Sequence, residues 1–386
     1  MRIAYITPYQ GPTLIKRRPI VKNLSMSNAT KIELIAQLLR SISHEVEILS
    51  HGEVVEHGFR FYPAFEEAER FNANISVYYI SALPIRRVNG LWSSMRMLRL
   101  LRTRHRISPF GLVIIFNLKA PQVACAKYVT RRLRIPVILE YEDDGFVDNV
   151  GKCPDGFLPR FWRTQYGKVL KMVSGCIGVS PHLLAQVPPD KPKMLLRGVI
   201  GDDVPKTAKT ATRMKRVLFS GTHIESNGVA QLIEAWRLLN LPDWELHITG
   251  AGQMSDSLRK MARITHGTVF HGLVSRDELV RLMCSASICV SPQAVSDVPG
   301  NVFPFKVIEY LAAGSHVVAT PMGVLEPDIE AGITYLKDNS PETIAAVLGE
   351  VIRLRRFEQG AQQAVQRRYG SAEVADALKG LIAELV

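Results

Sequence analysis

A chain of 386 residues is too long for one ordinary core and suggests two domains. Hydrophobic residues at 47 %, with 27 Gly and 22 Pro, describe a globular protein and exclude a disordered or fibrous one. The formal charge of +12 leaves nucleic acid, anionic lipid and phosphorylated substrates open as partners.

The chain opens with RIAYI, residues 2–6, a short buried strand. MRIAYITPY lacks the apolar length and small-residue cleavage site of a signal peptide. No later apolar run approaches the ~20 residues of a membrane span, so a cytoplasmic location is expected. A loop follows, with Gly11 and the basic run Lys16, Arg17 and Arg18. TKIELIAQLLRSI then reads as a helix and EVEIL as a second strand.

Residues 86–134 carry Arg or Lys at twelve positions and no acid. Within them LWSSMRMLRLLRTRHRI, residues 91–107, repeats Leu91, Trp92, Met95, Leu98 and Leu101 near helical spacing. Two readings stay open. Residues 86–106 lie on an anionic membrane surface as a basic amphipathic segment, or the helix is a core helix with a solvated arginine face.

GLVIIF, APQVACAKYVTRRL, PVILEY, CIGVS and HLLAQV continue an alternation of apolar runs and helical patterns. That alternation means βα units and a parallel sheet. Residues 198–213, GVIGDDVPKTAKTATR, have no apolar period and read as a linker. The rhythm restarts with RVLFSG and runs to HVVATP. The expected fold class is α/β, with doubly wound parallel-sheet domains at 1–200 and 201–370. A closing helix at 371–386 is expected to pack back on the first domain. Cys125, Cys153, Cys176, Cys284 and Cys289 have no CxxC spacing and read as buried thiols.

Common catalytic fingerprints are missing. TPYQGPTL has one Gly and ITGAGQMS lacks the third, so a dinucleotide site is not indicated. There is no P-loop, HExxH or GxSxG. No nucleic-acid recognition motif accompanies the charge, so no nucleic-acid partner is expected.

Four stretches in order resemble the donor domain of glycosyltransferase family 4, which has the GT-B fold. They are RVLFSGTHIESNGVAQLIEAW, WELHITGAGQMSDSLRKMA, VFHGLVSRDELVRLMCSASICVSPQ and FPFKVIEYLAAGSHVVAT. The N-terminal half is similar to the family more weakly, at its start, at PVILEYEDD and at SGCIGVSPHLLAQV. The resemblance implies two Rossmann-like domains facing across a cleft. It also implies a retaining transfer of a sugar from a nucleotide-sugar to an acceptor hydroxyl on a glycan or lipid-linked acceptor, without a cofactor. EYEDD invites a metal reading, but the resemblance implies no metal.

FPFKVIEYLAAGSHVVAT gives the donor site a physical basis. A nucleoside diphosphate needs donors for its oxygens and an acceptor for its ribose hydroxyls. Free N–H groups at a helix start supply the first, and Pro304 suits such a start. Lys306 adds a positive charge near the diphosphate, and Glu309 one turn on can accept from the ribose. Gly314 then ends the helix. An ordinary buried helix with a solvated Lys306 would carry the same pattern.

Carried over by position, the donor-binding residues are Gly11, Gly221, Thr222, Asn227, Val302, Phe303, Pro304, Lys306 and Glu309. The catalytic candidates are Glu142, Asp143 and Asn301. Several depart from the family. Asn301 stands eight positions before Glu309, where the family has Glu. Thr222 and Asn227 replace its Arg and Lys on the diphosphate, leaving Lys306 or Lys16, Arg17 and Arg18 as substitutes. Glu142 replaces its His. No second carboxylate is evident beside Glu309 to act as a nucleophile. The resemblance therefore implies a front-face route in which the leaving phosphate takes the acceptor proton. A GT-B enzyme of another reaction, such as an epimerase, and a catalytically silent partner subunit remain alternatives.

Overall fold

A computed structural model describes residues 1–18, 26–54, 60–70, 75–85, 88–143, 157–205, 213–294, 303–354 and 359–386. The chain divides into two compact units. Unit 1 holds Met1–Val199 and Ala372–Val386, with Phe303; unit 2 holds Ile200–Pro299 and Pro304–Ser371.

The strands of unit 1 are β1 (Arg2–Thr7), β2 (Glu45–Ser50), β3 (Phe65–Arg70), β4 (Ile75–Tyr79), β5 (Leu112–Phe116), β6 (Val137–Tyr141), β7 (Gly175–Gly178) and β8 (Lys193–Leu195). They form one sheet in the order β3-β4-β2-β1-β5-β6-β7-β8, parallel except for β3. β1, β5 and β6 are buried at every position, as strands covered on both faces must be. The helices are α1 (Pro12–Arg17), α2 (Met26–Ser41), α3 (Asn89–Ile107), α4 (Ala120–Tyr128) with a π-helical turn at Val129–Leu133, α5 (Phe157–Met172) and α6 (Pro181–Ala185). Strand order reverses between β1 and β5, so loops at the carboxyl ends of these strands flank a crevice.

Unit 2 repeats the plan with β9 (Met214–Ser220), β10 (Glu245–Thr249), β11 (Thr268–Gly272), β12 (Ala286–Ser291), β13 (His316–Ala319) and β14 (Ile333–Tyr335). Its parallel order is β11-β10-β9-β12-β13-β14, with the reversal between β9 and β12. The helices are α7 (Val229–Leu239), α8 (Ser255–Arg263), α9 (Arg276–Ser285), α10 (Phe305–Ala312), α11 (Pro327–Glu330), α12 (Pro341–Leu354) and α13 (Gln359–Tyr369). Phe219, Leu232, Trp236, Ile248 and Leu348 fill the core between α7, α12 and the sheet. Burying each such side chain contributes about 1.5–3 kcal/mol.

Ile200, at the first residue of unit 2, pairs in parallel with Gly370 and donates from its N–H to the Tyr369 carbonyl at 2.7 Å. The last helix, α14 (Ser371–Ala383), packs on unit 1. A Cβ on Gly175 of β7 would lie 3.2 Å from Leu385 and 3.7 Å from Leu381. Among the described residues no helix is long and apolar enough to cross a membrane.

Candidate functional site

In unit 2 the reversal point is built from two glycine turns locked together. Gly221 leaves β9 with φ +150°, and its N–H donates to the Thr249 carbonyl at 3.1 Å. Gly250 leaves β10 with φ +134°, and a Cβ there would fall 1.8 Å from the Gly221 carbonyl oxygen. Only glycine fits such an approach. Thr222 and Asn227 close the same loop on itself. Asn227 Nδ2 donates to the Thr222 carbonyl at 2.7 Å, and Gln293 Nε2 donates to Asn227 Oδ1 at 3.2 Å. The Asn227 side chain is thus spent on the loop.

α10 is pinned to this turn by Tyr310, which the sequence reading passed over. Its hydroxyl accepts from the Ser220 N–H at 2.8 Å and donates to the Ser220 carbonyl at 3.1 Å. Lys306 lies four residues earlier on the same helical face. Its ammonium sits 4.5 Å from the centre of the Phe219 ring and 3.5 Å from where a Gly221 Cβ would stand. Part of the side chain reaches the surface, yet burial draws its pKa down to about 7. Among the described residues no carboxylate pairs with it. Gly314, φ +79°, closes the helix.

Glu309 is 5 % exposed. Burial raises its pKa, and the Arg276 guanidinium opposes that rise. Arg276 Nη1 donates to Glu309 Oε1, while Arg276 Nε donates to Asp203 Oδ2 at 2.6 Å. Burial works against the charge of Arg276, but the two carboxylates outweigh it and hold the guanidinium above its ordinary value. Ser275 positions Arg276 by capping α9: its hydroxyl accepts from the Glu278 N–H at 3.3 Å. Asp203 thus shares Arg276 with Glu309, a link that the sequence reading did not include. A buried glutamate demands a cation, but nothing in the sequence says which of the 48 Lys and Arg supplies it.

Phe303 is buried, with the Arg197 guanidinium 5.6 Å from its ring centre, and Pro304 directly precedes α10. Asn301 and Val302 lie outside the described residues.

In unit 1, Gly11 follows β1 and its N–H donates to the Tyr79 hydroxyl at 3.3 Å. A Cβ there would lie 2.9 Å from both the Tyr79 and Tyr9 hydroxyls. Arg18 is not a spare cation for a diphosphate. It is 1 % exposed and donates to the carbonyls of Gly52 at 2.9 Å, Ile80 at 2.6 Å and Pro63 at 3.1 Å. Arg17 lies over the Phe65 ring at 4.4 Å, and Lys16 is exposed.

Glu142 and Asp143 stand beyond β6 and are gathered by Asn117 at the end of β5. Asn117 Oδ1 accepts from the N–H of Glu142 at 2.7 Å and of Asp143 at 3.2 Å, and its Nδ2 donates to Asp143 Oδ2 at 3.1 Å. Glu142 is no solvated strand end. Its carboxylate accepts from Lys31 of α2, which is 2 % exposed and also lies 3.8 Å from Glu140. Glu140 is fully buried, takes a hydrogen bond from Tyr5, and is pushed up to about 8 by burial, with Lys31 opposing. Lys31, Glu140 and Tyr5 went unnoticed in the sequence because buried polar partners leave no periodic signal. Among the described residues no three His, Cys, Asp or Glu side chains group as metal ligands would.

Comparison with known proteins fits this architecture. Residues 214–353 match the family described as glycosyl transferases group 1. An uncharacterised glycosyltransferase of Methanocaldococcus jannaschii is 28 % identical over 171 residues, 42 % of this chain and 43 % of that protein. The chain thus spans less than half the length of that curated relative. Sucrose-phosphate synthase from Thermosynechococcus elongatus superposes with TM-score 0.72 at 13 % identity, over 100 % of this chain and 99 % of that one. Anabaena HepE in complex with UDP gives 0.68 at 13 % identity over 100 % of both chains. HepE also matches in its complex with UDP-glucose, at TM-score 0.66 and 13 % identity over 100 % of both chains. At such identities the structures show the fold alone. Residues 214–353 are thus similar to the group 1 glycosyl transferases, and the two parallel-sheet α/β units have the GT-B fold.

Proposed function

We propose that this protein is a glycosyltransferase of the hexosyltransferase type that moves a sugar from a nucleotide-diphosphate-sugar to an acceptor hydroxyl, with retention, in the making of a glycan or glycolipid. One observation carries the reading. The Lys306 ammonium stands at the Gly221 turn, without a carboxylate partner among the described residues, one turn before Glu309. In this reading the free N–H groups of the first turn of α10 and Lys306 bind the diphosphate. Glu309, whose charge Arg276 supports against burial, accepts from the ribose hydroxyls. Because Lys306 titrates near neutral pH, an arriving diphosphate favours its ammonium form and draws in a proton.

The transfer itself needs little covalent chemistry from the protein. The leaving phosphate takes the acceptor proton, and preorganised donors stabilise the departing diphosphate. Glu142, hydrogen-bonded by Lys31, and Asp143 accept from a sugar or acceptor hydroxyl. No metal or other cofactor enters these steps. The HepE complexes make uridine the first base to test.

A catalytically silent partner subunit is the second reading. It is favoured by Thr222 and by Asn227, whose amide is already used within the loop. Thermal-shift titration with uridine, guanosine and adenosine diphosphates and their sugar conjugates tests the first reading, followed by an acceptor-dependent transfer assay. The expected result is stabilisation by one diphosphate, lost in Lys306→Ala. Stabilisation by none of them would overturn the donor site. Binding without transfer or donor hydrolysis would favour the silent subunit.

A further inference from the structure

We propose that α3, α4 and α5 form one docking surface on unit 1 for a bilayer rich in anionic phospholipid. The proposal stands apart from the donor reading, since every residue it uses lies in unit 1. The sequence pointed only to residues 86–106; the fold adds two more helices to the same patch. α3 packs on α4 and α4 on α5. The crossovers β4→β5, β5→β6 and β6→β7 all run in one direction along the sheet, which puts their helices on one face.

That face carries no negative charge of its own. Residues 88–134 and 157–172 contain neither Asp nor Glu. α3 buries Ser93, Met97 and Leu101. It turns Leu91, Met95, Arg99, Arg102 and Arg106 outward, a single stripe at spacings of three and four. Leu91 is 65 % and Met95 51 % exposed, so the stripe is apolar at one end and cationic along the rest. Arg131 and Arg132 extend the positive charge past the end of α4, and Lys168 extends it on α5. These cations crowd one another. Burial, then Arg131 and Lys168, lower the pKa of Lys127. Arg104 is excluded, because Glu47 takes it at 2.6 and 3.0 Å. Arg99, Arg102, Arg106, Arg131, Arg132 and Lys168 have no carboxylate partner among the described residues, and like charges so gathered are costly unless an anionic surface meets them.

The apolar members decide which surface. Leu91, Met95 and the exposed Phe161 have no role against phosphates alone, but they suit the headgroup boundary of a bilayer. A nucleic-acid platform would instead offer open aromatic faces for stacking. Here Arg96 lies over Trp92 at 5.7 Å and Arg102 over Tyr128 at 5.6 Å.

Co-sedimentation of the full chain with phosphatidylcholine vesicles, with and without phosphatidylglycerol, tests the proposal. The expected result is binding only to the anionic vesicles, weakened by salt. Arg99→Glu with Arg102→Glu, and separately Arg131→Glu with Arg132→Glu, each lower the vesicle partition coefficient about tenfold or more. Leu91→Ser with Met95→Ser lowers it without changing the salt dependence. All six positions are exposed, so unchanged melting temperatures are expected and checked. Lys260→Glu with Arg263→Glu, on α8 of unit 2, leaves binding as it was. Equal binding to neutral vesicles, undiminished binding by the reversed pairs, or an equal loss in the α8 control would overturn the proposal. So would preferential binding of a homopolymer RNA in competition with the vesicles.

Discussion

Arg276 donates from one guanidinium to two carboxylates, Glu309 on α10 and Asp203 at the start of unit 2. The arrangement is lopsided. Removing Glu309 leaves Arg276 with Asp203. Removing Arg276 leaves Glu309 buried without a cation among the described residues. Arg276→Met is therefore expected to cost more stability than Glu309→Gln. The cost is about 3 kcal/mol, the lower end for a broken buried pair, because the guanidinium is partly exposed. Urea unfolding of the two variants checks the order. Arg276→Met also lets burial protonate Glu309, so donor affinity in that variant recovers as pH rises, and Arg276→Lys restores it at neutral pH. A pH-independent loss would separate Arg276 from the state of Glu309.

Lys306 gives donor binding its own pH dependence. Burial holds the ammonium near pKa 7, below the ordinary value of 10.5, so the free protein loses this charge as pH rises through neutrality. Affinity for a nucleoside diphosphate should fall across that interval, and affinity for the nucleoside should not. Lys306→Arg should flatten the profile, because arginine does not titrate there. Calorimetry in buffers of different ionisation enthalpy reads the proton uptake directly.

Gly250 tests the interlocked turns. Gly250→Ala sets a Cβ 1.8 Å from the Gly221 carbonyl at a φ of +134°, so the backbone itself must move. A loss of more than about 2 kcal/mol in stability is expected. Any fold that survives should bind nucleotide poorly, because the displaced turn carries Gly221. Gly349→Ala, whose Cβ would lie 3.2 Å from the flexible Leu239 side chain, should be far milder.

Elements with strong local patterns were legible in the sequence, and those without were not. LVIIF is an uninterrupted apolar run, VILEY is broken only by Glu140 and ASICVS only by two Ser, and the helices between them have clean periods. β3, FEEAER, has no apolar alternation; it exists because β4 offers it an antiparallel edge. α5 begins with aromatic and basic residues whose meaning depends on α4. In the candidate site, Lys306, Glu309 and the glycine turns were visible because helix starts and tight turns have local signatures. Arg276, Asp203 and Lys31 were not. They lie 33, 106 and 111 residues from the carboxylates that the sequence singled out, and pairing at such range follows from topology.

Lys31 faces both Glu140 and Glu142. The two glutamates are two residues apart at the end of β6, on the same side of the chain, and share one buried ammonium. Burial holds Glu140 up to about 8, against an ordinary value of 4.5. The sign follows directly. Between those values the folded protein keeps a proton that the unfolded chain has released, so stability falls as pH rises through that window. The slope for one proton is at most about 1.4 kcal/mol per pH unit. Glu140→Gln should flatten it, as read by denaturant unfolding from pH 5 to 9. Glu142→Gln should act differently. It frees Lys31 for Glu140 alone, so Glu140 ionises at lower pH, the fold persists, and the slope shrinks. The same variant removes the charge proposed to accept from a sugar or acceptor hydroxyl. Turnover should then drop steeply while donor affinity changes by less than about tenfold, or 1.4 kcal/mol. Normal turnover together with a shrunken slope would make Glu142 a partner of Lys31 and nothing more.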